Sequence, residues 1–243
     1  KLMNYSGKLL LSTLFSCLTL PLQGAQVMQQ QDWGPVSPAF NSATSGSLNA
    51  LTFNQFNPSL GTLNFINVVT FVEFDQGNAS VDAEGTLLSD ITVEFGVDVD
   101  YTSPDVTLST AAFETIGQGV QAFNSETFTD VGANDGDDVL TFQDDGGDDN
   151  RTMAITQVTA SDSGNIAPGL FAQYTGTGTF DIEYEGTSLF NISSTGSTSG
   201  SFGPGIAQGY VIVTYDYIPA IPEPSTALCL LAGAALFARR RRN

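Results

Sequence analysis

The sequence contains no histidine, and only two of its 243 residues are cysteines. The absence of histidine excludes Ser-His-Asp and Cys-His catalysis and removes the commonest side-chain ligand of metals. Cys17 and Cys229 each lie inside one of two terminal apolar runs. The segment between them therefore forms no intramolecular disulfide and no thiolate zinc site, and its fold must be stable without either.

Basic residues are almost missing from the body of the chain. Lys1 and Lys8 stand at the front, four arginines stand at the end, and only Arg151 lies between them. Residues 26–218 thus hold 25 acidic residues against one basic residue. Nucleic acid and anionic lipid both require a basic surface, so neither is expected as a partner, whereas cations suit this charge.

The first 25 residues are predicted to be a helical secretory signal peptide. Lys8 precedes an apolar run at 9–22, and the small residues Gly24 and Ala25 follow it, so cleavage is expected after Ala25. Residues 26–47 are predicted to be a flexible lead-in, because glutamines, prolines and a Ser/Asn/Thr/Gly cluster leave little to bury. Trp33 in this segment either stacks on a sugar or packs on the domain edge, and the second role is favoured.

Residues 48–218 are predicted to form an all-β domain. The clearest strand has apolar residues at every second position, namely Ile91, Val93, Phe95, Val97 and Val99. Residues 65–74 are apolar on both faces, as in a central strand, and further strands are expected at 180–184 and 210–217. Turn clusters between these strands indicate an antiparallel β-sandwich of jelly-roll type. A short helix fits only at 110–123.

The C-terminal residues 219–243 combine a short motif, an apolar run and a basic end. Pro222, Glu223 and Pro224 precede apolar residues at about 226–238, which are predicted to be a transmembrane helix. This run spans only about 20 Å as a helix, against a bilayer core of about 30 Å. The basic end stops translocation and leaves the acidic body outside. It consists of Arg239, Arg240, Arg241 and Arg242.

This tail resembles the PEP-CTERM sorting signal of Gram-negative bacteria. The resemblance implies recognition by exosortase at the inner membrane, removal of the tail, and transfer of the protein to the cell surface or extracellular matrix, often alongside exopolysaccharide. The body is similar to the choice-of-anchor E domain over residues 48–218, through segments 56–63, 174–179 and 211–217. This second resemblance implies no particular activity.

The densest acidic stretch lies at 135–149 and is the one candidate cofactor site. Carboxylates among glycines suit Ca²⁺, and the candidate ligands are Asp144, Asp145, Asp148 and Asp149. The alternative, a solvated acidic loop, is favoured, and no other cofactor is indicated.

Paired carboxylates such as Asp181, Glu183 and Glu185 also occur in glycosidases, but nothing singles out one pair. The sequence therefore predicts a structural or adhesive protein that is not an enzyme. A carbohydrate-binding module or a carboxylate-dependent glycoside hydrolase is the alternative.

Overall fold

The computed structural model describes residues 24–36, 49–134 and 149–220. Over these residues the chain is mostly extended, and two short 3-10 helices, Pro58–Leu60 and Pro168–Tyr174, are the only helices. The strands in chain order are β1 (Ala25–Val36), β2 (Ala50–Asn54), β3 (Gly61–Asp75), β4 (Asn78–Ala83), β5 (Ser89–Thr102), β6 (Val120–Val131), β7 (Asn150–Ala154), β8 (Val158–Asn165), β9 (Thr179–Ser194), β10 (Thr198–Phe202) and β11 (Ile206–Pro219).

Two four-stranded antiparallel sheets enclose the hydrophobic core. The first sheet has the order β1-β11-β3-β8 and the second has the order β2-β9-β5-β6. The last strand lies between the first and the third, and successive strands repeatedly change sheets. This strand order is that of a jelly roll. The predicted antiparallel β-sandwich is therefore confirmed.

The period-two pattern of the sequence accounts for the core. On β5 the five predicted inward residues are each 0% exposed, because successive side chains of a strand point to opposite faces. From the first sheet, Phe74 meets Phe95 of β5 edge to face, with ring centroids 5.3 Å apart. The predicted central strand at 65–74 is β3, which is paired on both sides, with β11 and β8.

Buried tyrosines join the two sheets with hydrogen bonds. Tyr101 of β5 donates its hydroxyl to the carbonyl of Phe71 in the first sheet at 2.9 Å. Tyr215 of β11, in the first sheet, donates its hydroxyl to the carbonyl of Asn54 in the second sheet at 3.0 Å. Burial raises the pKa of both phenols well above the ordinary value, because the charged form would lose its hydration.

The prediction of a flexible lead-in is wrong for residues 26–36. They belong to β1, which pairs with β11 from Ala25↔Tyr217 to Val36↔Ala207. Main-chain hydrogen bonds hold this edge strand, so it needs few apolar side chains. Trp33 is the main apolar side chain of β1 and is 5% exposed. Its ring stacks on that of Tyr184, with centroids 4.4 Å apart, and its Nε1 donates a hydrogen bond to the Tyr101 hydroxyl at 3.1 Å. The packing interpretation of Trp33 is confirmed.

The stretch at 110–123 is not a helix. Thr110 starts a turn closed by the Phe113 N–H, which donates to its carbonyl at 3.0 Å, and β6 begins at Val120. Two isolated β-bridges, Ser109↔Thr115 and Thr110↔Ile166, hold this connection. Its backbone groups therefore pair with other segments and do not form the i to i−4 hydrogen bonds of a helix.

The predicted signal peptide, except for its last two residues, and the predicted transmembrane segment lie outside the described residues. Within the described ranges, no helix has the length and apolar character needed to cross a bilayer.

Candidate functional site

A third, three-stranded sheet of order β10-β4-β7 has one apolar and one polar face. Val81, Ala83 and Met153 on the apolar face join the hydrophobic core. The opposite face is polar because every second residue of β4 and its cross-strand neighbours is polar. We call it the polar face, and it consists of Ser199, Asp82 and Asn150 in one cross-strand row and Ser201, Ser80 and Thr152 in the next.

The middle strand of the polar face and Asn150 are buried despite their polar side chains, whereas Ser199, Ser201 and Thr152 are half-buried. Ser80 is 0% exposed, and Asp82 and Asn150 are each 3% exposed. Ser80 and Thr152 join their hydroxyls at 2.9 Å. A buried polar group normally has a hydrogen-bond partner, so such a face is expected to be fully bonded or to hold a ligand or water.

Glu84 directly follows β4, and its carboxylate contacts this face. Its Oε1 accepts the hydroxyl of Ser199 at 2.6 Å, and its Oε2 accepts the side-chain amide of Asn134 at 3.5 Å. A second carboxylate therefore lies beside the row that contains Asp82.

Of the four predicted Ca²⁺ ligands, the structure describes only Asp149; Asp144, Asp145 and Asp148 lie outside the described residues. Asp149 is 2% exposed, and its carbonyl accepts the Ala83 N–H at 3.0 Å, which extends the β4–β7 pairing by one position. In the part of the chain that the structure describes, no three Asp or Glu side chains are grouped as a metal site. Asp149 is thus a neighbour of the polar face.

The outward face of the second sheet is strongly acidic. Asp100 lies directly opposite Glu185 in the β5–β9 ladder, a like-charge pair. The three carboxylates proposed for hydrolysis lie on this outward face, with the Thr52 hydroxyl donating to Asp181 Oδ1 at 2.7 Å. Strands β5 and β9 contribute seven acidic residues to this face, namely Asp90, Glu94, Asp98, Asp100, Asp181, Glu183 and Glu185.

The outward face of the first sheet combines aromatic rings with amide side chains. Phe71 of β3 and Tyr210 of β11 are cross-strand partners whose rings stack at 4.6 Å with an interplanar angle of 9°. Met28 of β1 is 66% exposed on the same face. Carboxylates around these groups accept amide donors: Gln26 and Asn64 donate to Asp216, Gln30 donates to Asp32, and Gln208 donates to Glu73.

The chain leaves the first sheet through a central strand. β11 ends at Pro219, and the N–H of Ala220 donates to the carbonyl of Leu60 at 2.9 Å. Comparison with known families places a short motif here. Residues 220–242 are a PEP-CTERM protein-sorting motif. Pro222, Glu223, Pro224 and the four terminal arginines all fall inside this match, which begins one residue after the last strand.

Other comparisons add little. No curated protein matches the chain. Solved structures of infectious bursal disease virus give low similarity. The VP2 subviral particle shows 9% identity and a TM-score of 0.15 over 88% of this chain and 50% of the viral chain. The structure of the Gx strain shows 10% identity and a TM-score of 0.15 over 82% of this chain and 38% of the viral chain. The chain thus spans half or less of these viral chains.

Sequence reasoning missed the polar face and the outward face of the first sheet. Asp82 and Asn150 are 68 positions apart and become neighbours only through the β4–β7 register. The alternation of Ser80, Val81, Asp82 and Ala83 was a signal for a strand, but it does not reveal that the polar side is buried as well.

Proposed function

We propose that this is an exported, non-enzymatic surface or matrix protein with a structural or adhesive role, which exosortase recognises at the inner membrane through the C-terminal motif. The PEP-CTERM match at 220–242 carries the proposal. Its position supports it, because a tail that starts directly after β11 can be cut without removing any strand of the described domain. The similarity of the body to the choice-of-anchor E domain is part of the same proposal.

Mass analysis of the C-terminus tests the sorting role. The full chain is expressed in a Gram-negative host that has an exosortase, and surface protein is analysed intact. We expect the four terminal arginines to be absent. A variant with Pro222, Glu223 and Pro224 replaced by alanine should accumulate uncut in the inner membrane, and Ser225→Ala serves as the matched control. If all surface molecules retained the arginines, a permanent anchor would replace the proposal.

Carbohydrate binding is the second candidate function, and the outward face of the first sheet favours it. Aromatic rings bind the apolar faces of sugars, and paired amide and carboxylate groups bind hydroxyls. The negative charge of the whole body repels anionic polymers. Cations are better served by the outward face of the second sheet, because its carboxylates are more closely spaced. We therefore assign the face around Phe71 and Tyr210 to a polysaccharide of low charge. Glycoside hydrolysis gains no comparable support.

Affinity electrophoresis in gels that contain neutral soluble glucans or alginate tests this assignment. Tyr210→Ser and Phe71→Ser should each abolish most of the retardation by a neutral glucan. Leu189→Ser, on the outward face of the second sheet, is the matched control and should leave retardation unchanged. Retardation by alginate alone, or equal loss in the control variant, would contradict the assignment.

A further inference from the structure

The end of the sandwich from which the chain continues toward the sorting motif contains no charged residue. We call it the exit end, and it consists of residues 55–60, 168–178 and 218–220. Main-chain hydrogen bonds join these segments: the N–H of Phe56 donates to the carbonyl of Tyr174 at 2.8 Å, and the N–H of Ala220 donates to the carbonyl of Leu60 at 2.9 Å. The exit end is therefore one continuous surface built from three uncharged parts of an acidic chain.

The opposite end of the sandwich is acidic. Strand β9 begins at Thr179, beside the exit end, and ends at Ser194, about 50 Å further along at the usual rise of about 3.3 Å per residue. At that far end Glu84 follows β4, Asp90 lies at the start of β5 and Asp130 lies near the end of β6. The acids thus occupy the far end and the outward face of the second sheet, and the exit end carries none.

The exit end also exposes two apolar side chains close to the departing chain. Leu60 is 43% exposed and Ile218 is 44% exposed. Ile218 lies two residues before Ala220, whose N–H is bonded to Leu60. The acids of the domain that come nearest to this end along the chain are Asp181 and Asp216, and both accept hydrogen bonds from neighbouring side chains.

The length of chain between this end and the apolar run limits how far the domain can stand from a bilayer. The run begins at about residue 226, six residues after Ala220. A chain spans at most about 3.3–3.6 Å per residue, so an inserted run holds the exit end within about 20 Å of the bilayer. Carboxylates held this close to anionic lipids are repelled over a screening length of about 8 Å, whereas an uncharged end is not.

We infer that the exit end is a membrane-facing surface, which contacts phospholipid headgroups while the sorting tail is inserted and before it is cut. This inference rests on the proposed function, since the tail brings the domain to the membrane. Leu60 and Ile218 are the apolar contacts, because exposed apolar side chains enter the boundary between headgroups and acyl chains. The contact requires no basic patch, as the tail supplies the attachment. The domain then stands with its far end directed away from the bilayer.

Site-specific fluorescence quenching tests the contact directly. The full chain is purified, uncut at its C-terminus, from a host without exosortase and reconstituted into vesicles of phosphatidylethanolamine and phosphatidylglycerol with nitroxide-labelled headgroups. Cys17→Ala and Cys229→Ala remove the native thiols, and a fluorophore is attached to Ser59→Cys at the exit end or to Thr86→Cys at the far end. Both positions are exposed. We expect strong quenching at position 59 and little at position 86, because nitroxides quench only at close range.

A charge placed on the exit end should weaken the contact. Leu60→Asp should reduce quenching of the probe at position 59, because the new carboxylate is repelled by phosphatidylglycerol and loses the apolar contact. Leu88→Asp is the matched control, since Leu88 is 63% exposed at the far end, and it should leave this quenching unchanged. Circular dichroism of each variant shows whether it keeps the β-sheet spectrum of the parent.

The outcomes separate this inference from the proposed function. If the chain floated with the vesicles but both probes were quenched equally, or neither was, the inference would be overturned and the sorting role would stand. Quenching at position 59 that required added exosortase would assign the exit end to the enzyme and would also overturn the inference. If the chain did not float with the vesicles at all, the membrane step of the proposed function would fail together with it.

Discussion

The two outward faces of the sandwich differ in composition and in the placement of their charges. On the second sheet seven acidic residues share the face, and Asp100 stands opposite Glu185. On the first sheet no acidic residue lies opposite another: Asp216 faces Phe65, Glu73 faces Gln208, and Asp32 faces Tyr210. Like charges in register favour solubility at some cost in stability, whereas separated and amide-bonded acids leave aromatic surface open to contact. The second sheet therefore presents carboxylates that repel one another, whereas the first presents aromatic and amide groups, and the proposed carbohydrate binding depends on this difference.

The largest effect is expected for substitutions in the edge strands of the two sheets. Each sheet has an aromatic residue of an edge strand opposite a glycine, Trp33 over Gly209 and Phe123 over Gly96. Trp33→Ala removes a buried, hydrogen-bonded ring and should lower the free energy of unfolding by about 3–5 kcal/mol. Phe123 is 38% exposed, so Phe123→Ala should cost much less. Urea unfolding measures both. If both substitutions lowered the free energy of unfolding equally, the two edge strands would be stabilised to the same extent.

Alkaline pH should break the contacts between the sheets. The pKa values of Tyr101, Tyr174 and Tyr215 are raised by burial, so near their ordinary value of about 10 the unfolded chain releases protons that the folded chain keeps. Stability is therefore intact below pH 10 and falls above it, by up to about 1.4 kcal/mol per pH unit for each tyrosine. Absorbance at 295 nm should show these three phenols ionising only with unfolding. Early, reversible ionisation of all seven tyrosines would contradict this expectation.

Removing an acidic residue from the first sheet should destabilise the protein. Asp216 accepts amide hydrogen bonds from Gln26 at 3.2 Å and from Asn64 at 2.9 Å, and the first of these ties β1 to β11. Asp216→Ala should lower the free energy of unfolding by about 1 kcal/mol. Thermal and urea unfolding provide the measurement, and an unchanged stability would show that these exposed bonds contribute nothing.

Neutralising an acidic residue on the second sheet should have the opposite sign. Glu185→Gln removes the charge opposite Asp100 and should stabilise the fold by about 0.2–1 kcal/mol at low salt. The gain should shrink in 1 M NaCl, where the screening length falls to about 3 Å. A gain that persisted in high salt would indicate a cause other than repulsion.

The fold was largely predictable because the alternation of apolar and polar residues within a strand is a local sequence pattern that predicts which side chains are buried. The inward residues of β5 and the central position of β3 follow from alternation and from apolar content alone. β1 could not be found in this way, since its glutamines resemble a linker and its partner, β11, lies almost at the other end of the chain. The polar face was hidden for a related reason, because a strand pattern specifies which side chains share a face and leaves open which faces are covered.

The position of β11 has a mechanical consequence. Its two neighbours, β1 and β3, hold it on both sides, and it is also the strand from which the chain continues beyond Pro219. A pull along this strand loads two rows of hydrogen bonds in shear, so they share the force together instead of opening one at a time. Tension applied through the C-terminal segment thus enters the domain at a strand that cannot be peeled away from an edge.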